Sequence, residues 1–301
     1  MSHVATIIAS PARADLTEDA VAAIAAALRG AGADAGAPDW LAPGIACDLP
    51  LETGAAPVAA LRAAASDAAA ADGFDAVVQP AATRLKRLLI ADMDATIVTG
   101  ETLDELADHA GLKDHVAAIT QRAMRGELDF RAALRERVGL LKGLPVAALE
   151  DTLARIALTP GAATLVATMR AHGAYAVLVS GGFEFFVSRI AARCGFDAHL
   201  ANRLEIADGV LTGGVAEPIL DKDAKLAALR RTAAGQGIAL DATMAVGDGA
   251  NDLPMIRAAG LGVAFHAKPL VCAEAPAVVT HGDLTALLYM QGYRRADLSP
   301  V

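Results

Sequence analysis

The sequence predicts an α/β protein: a doubly wound parallel sheet with an inserted helical cap, preceded by a small N-terminal α/β unit. Three observations carry that expectation. Short continuous apolar runs at 88–91, 175–179 and 243–246 suit strands buried on both faces of a parallel sheet. Helical patterns at 183–194, 221–234 and 251–259 alternate with those runs, as strand–helix–strand winding requires. The first 80 or so residues have a separate texture, rich in Ala and punctuated by Gly and Pro.

Within that first stretch, 4–8 reads as a strand. Val21, Ile24, Ala25 and Leu28 fall on one helical face, and Gly30 and Gly32 stop the helix. Short apolar pieces follow around Leu41 and at 45–49, between Pro38 and Pro57. A second Ala-rich helix spans about 55–71, 74–79 closes the unit as a strand, and Pro80 with Thr83 reads as a linker. The division expected is 1–82 and 83–301. The order β-α-(β-β)-α-β resembles an ACT-type regulatory domain. The competing reading is a packing or dimerisation domain without a ligand, which allows a homodimer.

In the second part, 262–265 and 277–279 add two shorter strands. A helical insert of about 100–160 separates the first two long strands. Leu103, Leu106, Ala107 and Ala110 form one helical face there, and Phe130, Leu134, Val138 and Leu141 another. The insert is too long for a βα loop, so it reads as a cap over the sheet edge where ligands of open α/β sheets bind.

Composition narrows the function classes. The 301 residues carry 26 Lys+Arg and 35 Asp+Glu, a net charge of −9, which argues against a general nucleic-acid binder. Aromatics at 4% argue against a base-stacking platform. Hydrophobic residues reach 54%, yet no 18-residue stretch lacks a charge, so no transmembrane helix is expected. The N-terminus lacks the pattern of a signal peptide. Cys47, Cys194 and Cys272 are scattered, which suits reduced thiols and a cytoplasmic setting.

Four constellations carry chemistry. Asp92-Met-Asp94-Ala-Thr96 follows directly on the first buried strand. Two carboxylates at a strand end invite a divalent metal, and all-oxygen ligands suit Mg²⁺, although a polar turn capping the next helix reads equally well in isolation. Ser180-Gly181-Gly182 ends the second strand where a helix begins, a place for an anion or a plain cap. Lys225 opens a later helix and carries little weight alone. Gly247-Asp248-Gly249-Ala-Asn251-Asp252 ends the third strand, with glycines that let backbone approach a ligand.

In that order, the four motifs resemble the haloacid dehalogenase superfamily of phosphatases. The resemblance implies that Asp92 is the nucleophile accepting the phosphoryl group and that Asp94 is the general acid and then base. It assigns the phosphate to Thr96, Ser180, Gly181, Lys225 and Asn251. It assigns Mg²⁺ to Asp92, the Asp94 carbonyl, Asp248 and Asp252.

The cap entry is more specific. Glu101-Thr-Leu-Asp-Glu, Met124-Arg-Gly-Glu-Leu-Asp-Phe130 and Arg137-Val138 resemble the phosphoserine phosphatase family, over about 84–290. The family implies a small-molecule substrate, O-phospho-L-serine, hydrolysed with Mg²⁺ in the last step of serine biosynthesis. Arg137 would then pair the substrate carboxylate, Glu101 its ammonium, and Met124 and Phe130 would form the closing apolar wall. Phe130 and Arg137 are seven apart and share a helix face. Ala95 departs from the family, which usually has Ser there. His266, in Phe265-His-Ala-Lys-Pro269, reads as structural. The alternatives are a phosphatase or phosphotransferase for another small phosphomonoester, and a catalytically silent amino-acid sensor.

Overall fold

A computed structural model describes residues 2–124 and 127–301. Its N-terminal part comprises β1 (Ser2–Ile8), α1 (Glu18–Gly30), β2 (Asp34–Ala35), β3 (Asp39–Ala42), β4 (Ala46–Glu52), α2 (Val58–Ala70) and β5 (Asp75–Pro80). The sheet order is β2-β4-β1-β5, and β1 pairs antiparallel with both β4 and β5. β2 and β3 pair with successive stretches of β4, so together they fill one strand position. The result keeps the expected β-α-β-β-α-β order.

Period-two alternation gives this sheet two buried faces. Ala5, Ile7, Cys47, Leu49 and Val78 pack under α1 and α2 with Val21, Ile24, Leu28 and Leu61. Ile8, Leu41, Ala46 and Val77 join the core of the rest of the molecule. The expected linker at Pro80–Thr83 is therefore a fixed splice. Pro80 still pairs with His3, Ala81–Thr83 makes a single 3₁₀ turn, and the buried Lys86 ammonium donates to the carbonyls of Thr83 and Asp241, each at 2.7 Å. A buried ammonium must find acceptors, and backbone oxygens on both sides of the splice supply them.

The second part of the chain is built around a wholly parallel six-stranded sheet. Its elements are β6 (Leu88–Ala91), α3 (Thr102–His109), α4 (Lys113–Met124), α5 (Phe130–Gly139), α6 (Ala147–Arg155), α7 (Ala162–Ala171), β7 (Tyr175–Phe183), α8 (Glu184–Cys194), β8 (Ala198–Asn202), β9 (Leu204–Ala207), β10 (Val210–Val215), α9 (Lys222–Gly235), β11 (Thr243–Gly247), α10 (Leu253–Ala258), β12 (Leu261–Phe265), α11 (Pro269–Glu274), β13 (Ala277–Val279) and α12 (Ala286–Met290). The order β13-β12-β11-β6-β7-β8 reverses direction at β6. That switch point opens a crevice at the carboxyl end of β6, where ligands bind in such sheets.

Helices α3 to α6 form the cap. Leu103, Leu106, Leu134, Val138, Leu141 and Leu149 bury its inner face. The chain enters and leaves the cap side by side: Val98 bridges Leu158, Thr99 N–H donates to Ala157, and Thr159 N–H to Ile97. A hairpin of β9 and β10, absent from the sequence expectation, braces the cap from below. Gly143 N–H donates to Leu211, Leu211 N–H to Leu144 and Val146 N–H to Gly209. Its turn is Asp208-Gly209, both at positive φ, a tight-turn signal legible in the sequence. Among the described residues, no helix is long and apolar enough to cross a membrane.

Candidate active site

The four motifs meet at the crevice. Asp92 leaves β6 with its N–H bonded to Val246 O of the neighbouring strand. The chain then turns sharply through residues 93–97, with Ala95 in the left-handed region at φ +52°. This turn separates the two acids. Asp94 accepts from Thr102 N–H at 2.8 Å and from the Ser180 hydroxyl at 3.2 Å, outside the cluster that Asp92 forms with Asp248 and Asp252. Thr96 is fully buried in the same turn, and its hydroxyl has no hydrogen-bond partner among the described residues.

Lys225 is 2% exposed, far from the solvated lysine that its sequence context alone suggests. Its ammonium donates to Asp92 Oδ1 at 2.5 Å and Asp252 Oδ1 at 2.6 Å. Asp252 also accepts the Gly249 N–H at 3.0 Å. Gly247 is required here: a β-carbon on it would lie 2.4 Å from the Asp252 carboxyl carbon. Carboxylate oxygens of Asp92, Asp248 and Asp252 all lie within 4.8 Å of one another.

Three buried carboxylates against one ammonium leave the floor short of positive charge. Burial, then the charge of Asp252, holds Asp92 well above the usual carboxylate range against the pull of Lys225. Asp94 and Asp248 are likewise raised, chiefly by burial. For Lys225, burial alone would lower the pKa, but Asp92 and Asp252 outweigh it and keep the ammonium charged. A divalent cation fits this donor set: hard oxygen ligands, crowded, and short of one counter-charge.

The Ser180-Gly181-Gly182 loop differs in one respect from expectation. β7 runs on through Gly182 to Phe183, with a register shift after Val179, and α8 begins only at Glu184. The Gly182 N–H is consequently not free, since it donates to Ser180 Oγ at 2.8 Å. Asn202, which the sequence did not single out, is buried at the end of β8. Its amide donates to Gly181 O at 2.8 Å, and its oxygen accepts Leu220 N–H at 2.7 Å. It ties the Ser-Gly-Gly loop to the start of α9, which carries Lys225. Asn251 is half-buried in the loop before α10.

The cap supplies the roof. Phe130 begins α5 and is 38% exposed, yet its ring reaches Gly181, where an added β-carbon would lie 3.3 Å from Phe130 Cζ. Arg137, near the end of the same helix, is half-buried. Its Nε donates to Ala133 O at 3.3 Å, and no carboxylate pairs with it among the described residues. Burial lowers its pKa against the attraction of Asp104, Glu101 and Asp94. Glu101 lies at the N-terminus of α3 and keeps solvent contact. Crowding around its carboxyl, with the charges of Asp94 and Asp248, pushes its pKa up to about 7. The side chain of Met124 lies outside the described residues.

A buried carboxylate at a switch point, covered by an inserted cap, makes an enclosed site suited to a small ligand. Residues 89–257 match the family described as haloacid dehalogenase-like hydrolase. A phosphoserine phosphatase of Streptococcus thermophilus is 50% identical over 202 residues, covering 67% of this chain and 94% of that protein. Against three further curated relatives the chain spans 53%, 56% and 63% of their length. Among solved structures, a HAD family hydrolase of Salmonella enterica serovar Typhi aligns with a TM-score of 0.85, at 30% identity, over 96% of this chain and 98% of that one. A phospho-aspartyl intermediate analogue of phosphoserine phosphatase aligns with a TM-score of 0.64, at 42% identity, over 68% of this chain and 98% of that one. The chain belongs to the haloacid dehalogenase-like hydrolases and, within them, to the phosphoserine phosphatases.

Proposed function

We propose that the chain hydrolyses O-phospho-L-serine to L-serine and phosphate through an aspartyl-phosphate at Asp92. Phosphate monoesters are among the slowest bonds to hydrolyse, needing rate enhancements up to ~10²¹-fold. A carboxylate nucleophile divides the reaction into two easier displacements. Asp92 attacks phosphorus, and the serine alkoxide leaves as it takes a proton from Asp94. Asp94 then removes a proton from water as that water attacks the phosphoryl group and frees Asp92. Its position suits both tasks: it stands apart from the three-carboxylate cluster, is buried, and is aimed by the Thr102 N–H.

Phosphate oxygens are received by Lys225, Ser180, the Gly181 backbone, Thr96 and Asn251. A Mg²⁺ held by Asp92, the Asp94 carbonyl, Asp248 and Asp252 would neutralise charge between a carboxylate and a phosphate dianion. Asn202 keeps the loop that faces the phosphate in register with the helix that carries Lys225.

The observation that carries the substrate is Arg137. A half-buried guanidinium without a carboxylate partner is costly in the free protein. It faces the Glu101–Asp94 side of the cleft, where a zwitterionic amino acid would present its carboxylate to Arg137 and its ammonium to Glu101. Phe130 closes the apolar side. In this reading residues 83–301 carry catalysis, with the cap at about 100–160, and residues 1–82 do not touch substrate. Phosphate release from phosphoserine, with and without Mg²⁺, beside phosphothreonine and a carboxylate-free ester, tests the assignment. Equal turnover of all three esters would overturn it.

A further inference from the structure

We propose that Asp75, in the N-terminal unit, is a positioning residue for the metal-binding loop at Asp248. The proposal rests on the reading that Asp92, Asp248 and Asp252 hold Mg²⁺.

Asp75 is buried at the start of β5. Its carboxylate crosses to the catalytic half and accepts three successive backbone N–H groups. Thr280 donates at 2.8 Å, His281 at 3.2 and 3.1 Å to the two oxygens, and Gly282 at 2.7 Å. Gly282 is placed for this approach, since a β-carbon on it would lie 3.2 Å from Asp75 Oδ2 and 3.2 Å from Ala286 Cβ. No side-chain cation pairs with Asp75, so this loop is its sole hydrogen-bond partner among the described residues. Charge-assisted bonds to backbone amides are the strong kind.

The loop passes the constraint on. Gly282 O lies 2.9 Å from His266 Nε2, and His266 N–H donates to Val279 O at 2.8 Å. His266 is held at φ +43°, a strained backbone that surrounding structure must over-determine. Two residues on, Lys268 N–H donates to Asp248 O at 3.1 Å, and Lys268 Nζ lies 3.9 Å from Asp248 Oδ2. The same loop also meets the exit of the cap, where Leu284 N–H donates to Pro160 O at 3.1 Å. One carboxylate of the N-terminal unit therefore fixes the 280–282 loop, which holds His266, and the segment that begins at His266 reaches the Asp248 backbone through Lys268. His266, read from the sequence as structural, is the middle link.

Other polar ties between the two halves include the buried Gln79 amide, which donates to Met290 O at 2.6 Å, and two ion pairs. Arg294 pairs with Asp39 at 2.7 Å and Arg84 with Asp48 at 2.5 Å, and neither leads to the metal loop. They provide the control.

The test is calorimetric titration of Mg²⁺ into metal-free, full-length protein without substrate, with melting curves to verify folding. Asp75→Ala and His266→Ala should each weaken Mg²⁺ binding roughly tenfold, the lower end of what outer partners of a metal site contribute. Asp75→Asn should fall between them and wild type. Arg294→Ala, which loosens docking elsewhere, should bind Mg²⁺ within about twofold of wild type. At saturating Mg²⁺ the KM for phosphoserine should remain near wild type in all four. Wild-type affinity in folded Asp75→Ala and His266→Ala overturns the proposal. Should Asp75→Ala not fold, wild-type affinity in Asp75→Asn and His266→Ala overturns it equally. Weakening in Arg294→Ala as large as in Asp75→Ala also overturns it, since docking in general would then be responsible. A wild-type protein that binds no Mg²⁺ overturns the metal reading itself, a separate result.

Discussion

The floor and the roof of one cleft are built on opposite terms. The floor is rigid: Asp92, Lys225 and Asp252 are buried at strand and helix ends and bonded to each other at 2.5 and 2.6 Å. The roof is lightly held. Phe130 remains 38% exposed, Arg137 has no ion-pair partner among the described residues, and two exposed ion pairs, Arg131–Asp221 and Arg135–Glu217, join α5 to the segment before α9. Chemistry common to all phosphate esters needs preorganised charge, which only a desolvated and over-determined floor provides. Recognition of one particular alcohol needs groups that are free until substrate arrives, and a cap that must open cannot be tied down tightly.

Breaking the floor should have the largest effect. Asp92→Asn removes the proposed nucleophile, so kcat should fall by on the order of 10⁴-fold or more in a phosphate-release assay, for every ester alike. Lys225→Met leaves two buried carboxylates facing each other without a cation. The metal-free protein should lose about 3–5 kcal/mol in urea unfolding, and a loss under 1 kcal/mol would contradict the described ion-pair geometry.

The roof should respond selectively. Arg137→Ala should lower kcat/KM for phosphoserine about 100-fold, the scale of a charged hydrogen bond of up to ~3 kcal/mol. A phosphate ester lacking the carboxylate should change less than about threefold. Equal losses would place Arg137 in the floor's business and erase the contrast.

Glu101 sharpens the comparison through pH. Its carboxyl, raised to about 7, is neutral below that pH and ionised above it. Only the ionised form attracts an ammonium, so KM for phosphoserine should fall as pH rises through 7. Glu101→Gln should flatten that dependence. An ester without an ammonium controls for the phosphate's own titration near 6. The smallest effect belongs to the exposed latch. Arg131→Ala with Arg135→Ala should alter kcat by about twofold, and the difference should shrink at high salt, since exposed pairs contribute little and are screened.

Much of the floor was legible because its signals are local. Each motif follows a continuous apolar run, and such runs fold as buried strands that all end at one edge. Lys225 was legible only through its place in the motif order, because an isolated Lys on a helix carries no local mark of burial. Asn202 was not legible: its hydrogen bonds span 21 and 18 residues, and nothing in its neighbours foretells them. The β9–β10 hairpin did leave a mark, Asp208-Gly209 between apolar pairs, but its strands are short and one is largely exposed. The linker expected at Pro80–Thr83 failed for a related reason. Pro and Thr report a local break in the chain, whereas the carbonyl of Asp241, 155 residues from Lys86, turns that break into a splice.

What the sequence by itself determined is the α/β winding, the inserted cap and the residues of the four motifs, since periodicity and motif order are properties of neighbouring residues. Only the tertiary structure decided how charges offset one another. It separated Asp94 from Asp92 by a left-handed turn at Ala95, set Lys225 between two carboxylates, left Arg137 with no carboxylate partner among the described residues, and carried Asp75 across to the 280–282 loop. Burial and pairing are relations between residues distant in the chain, and their energies exist only once folding has excluded water from between them.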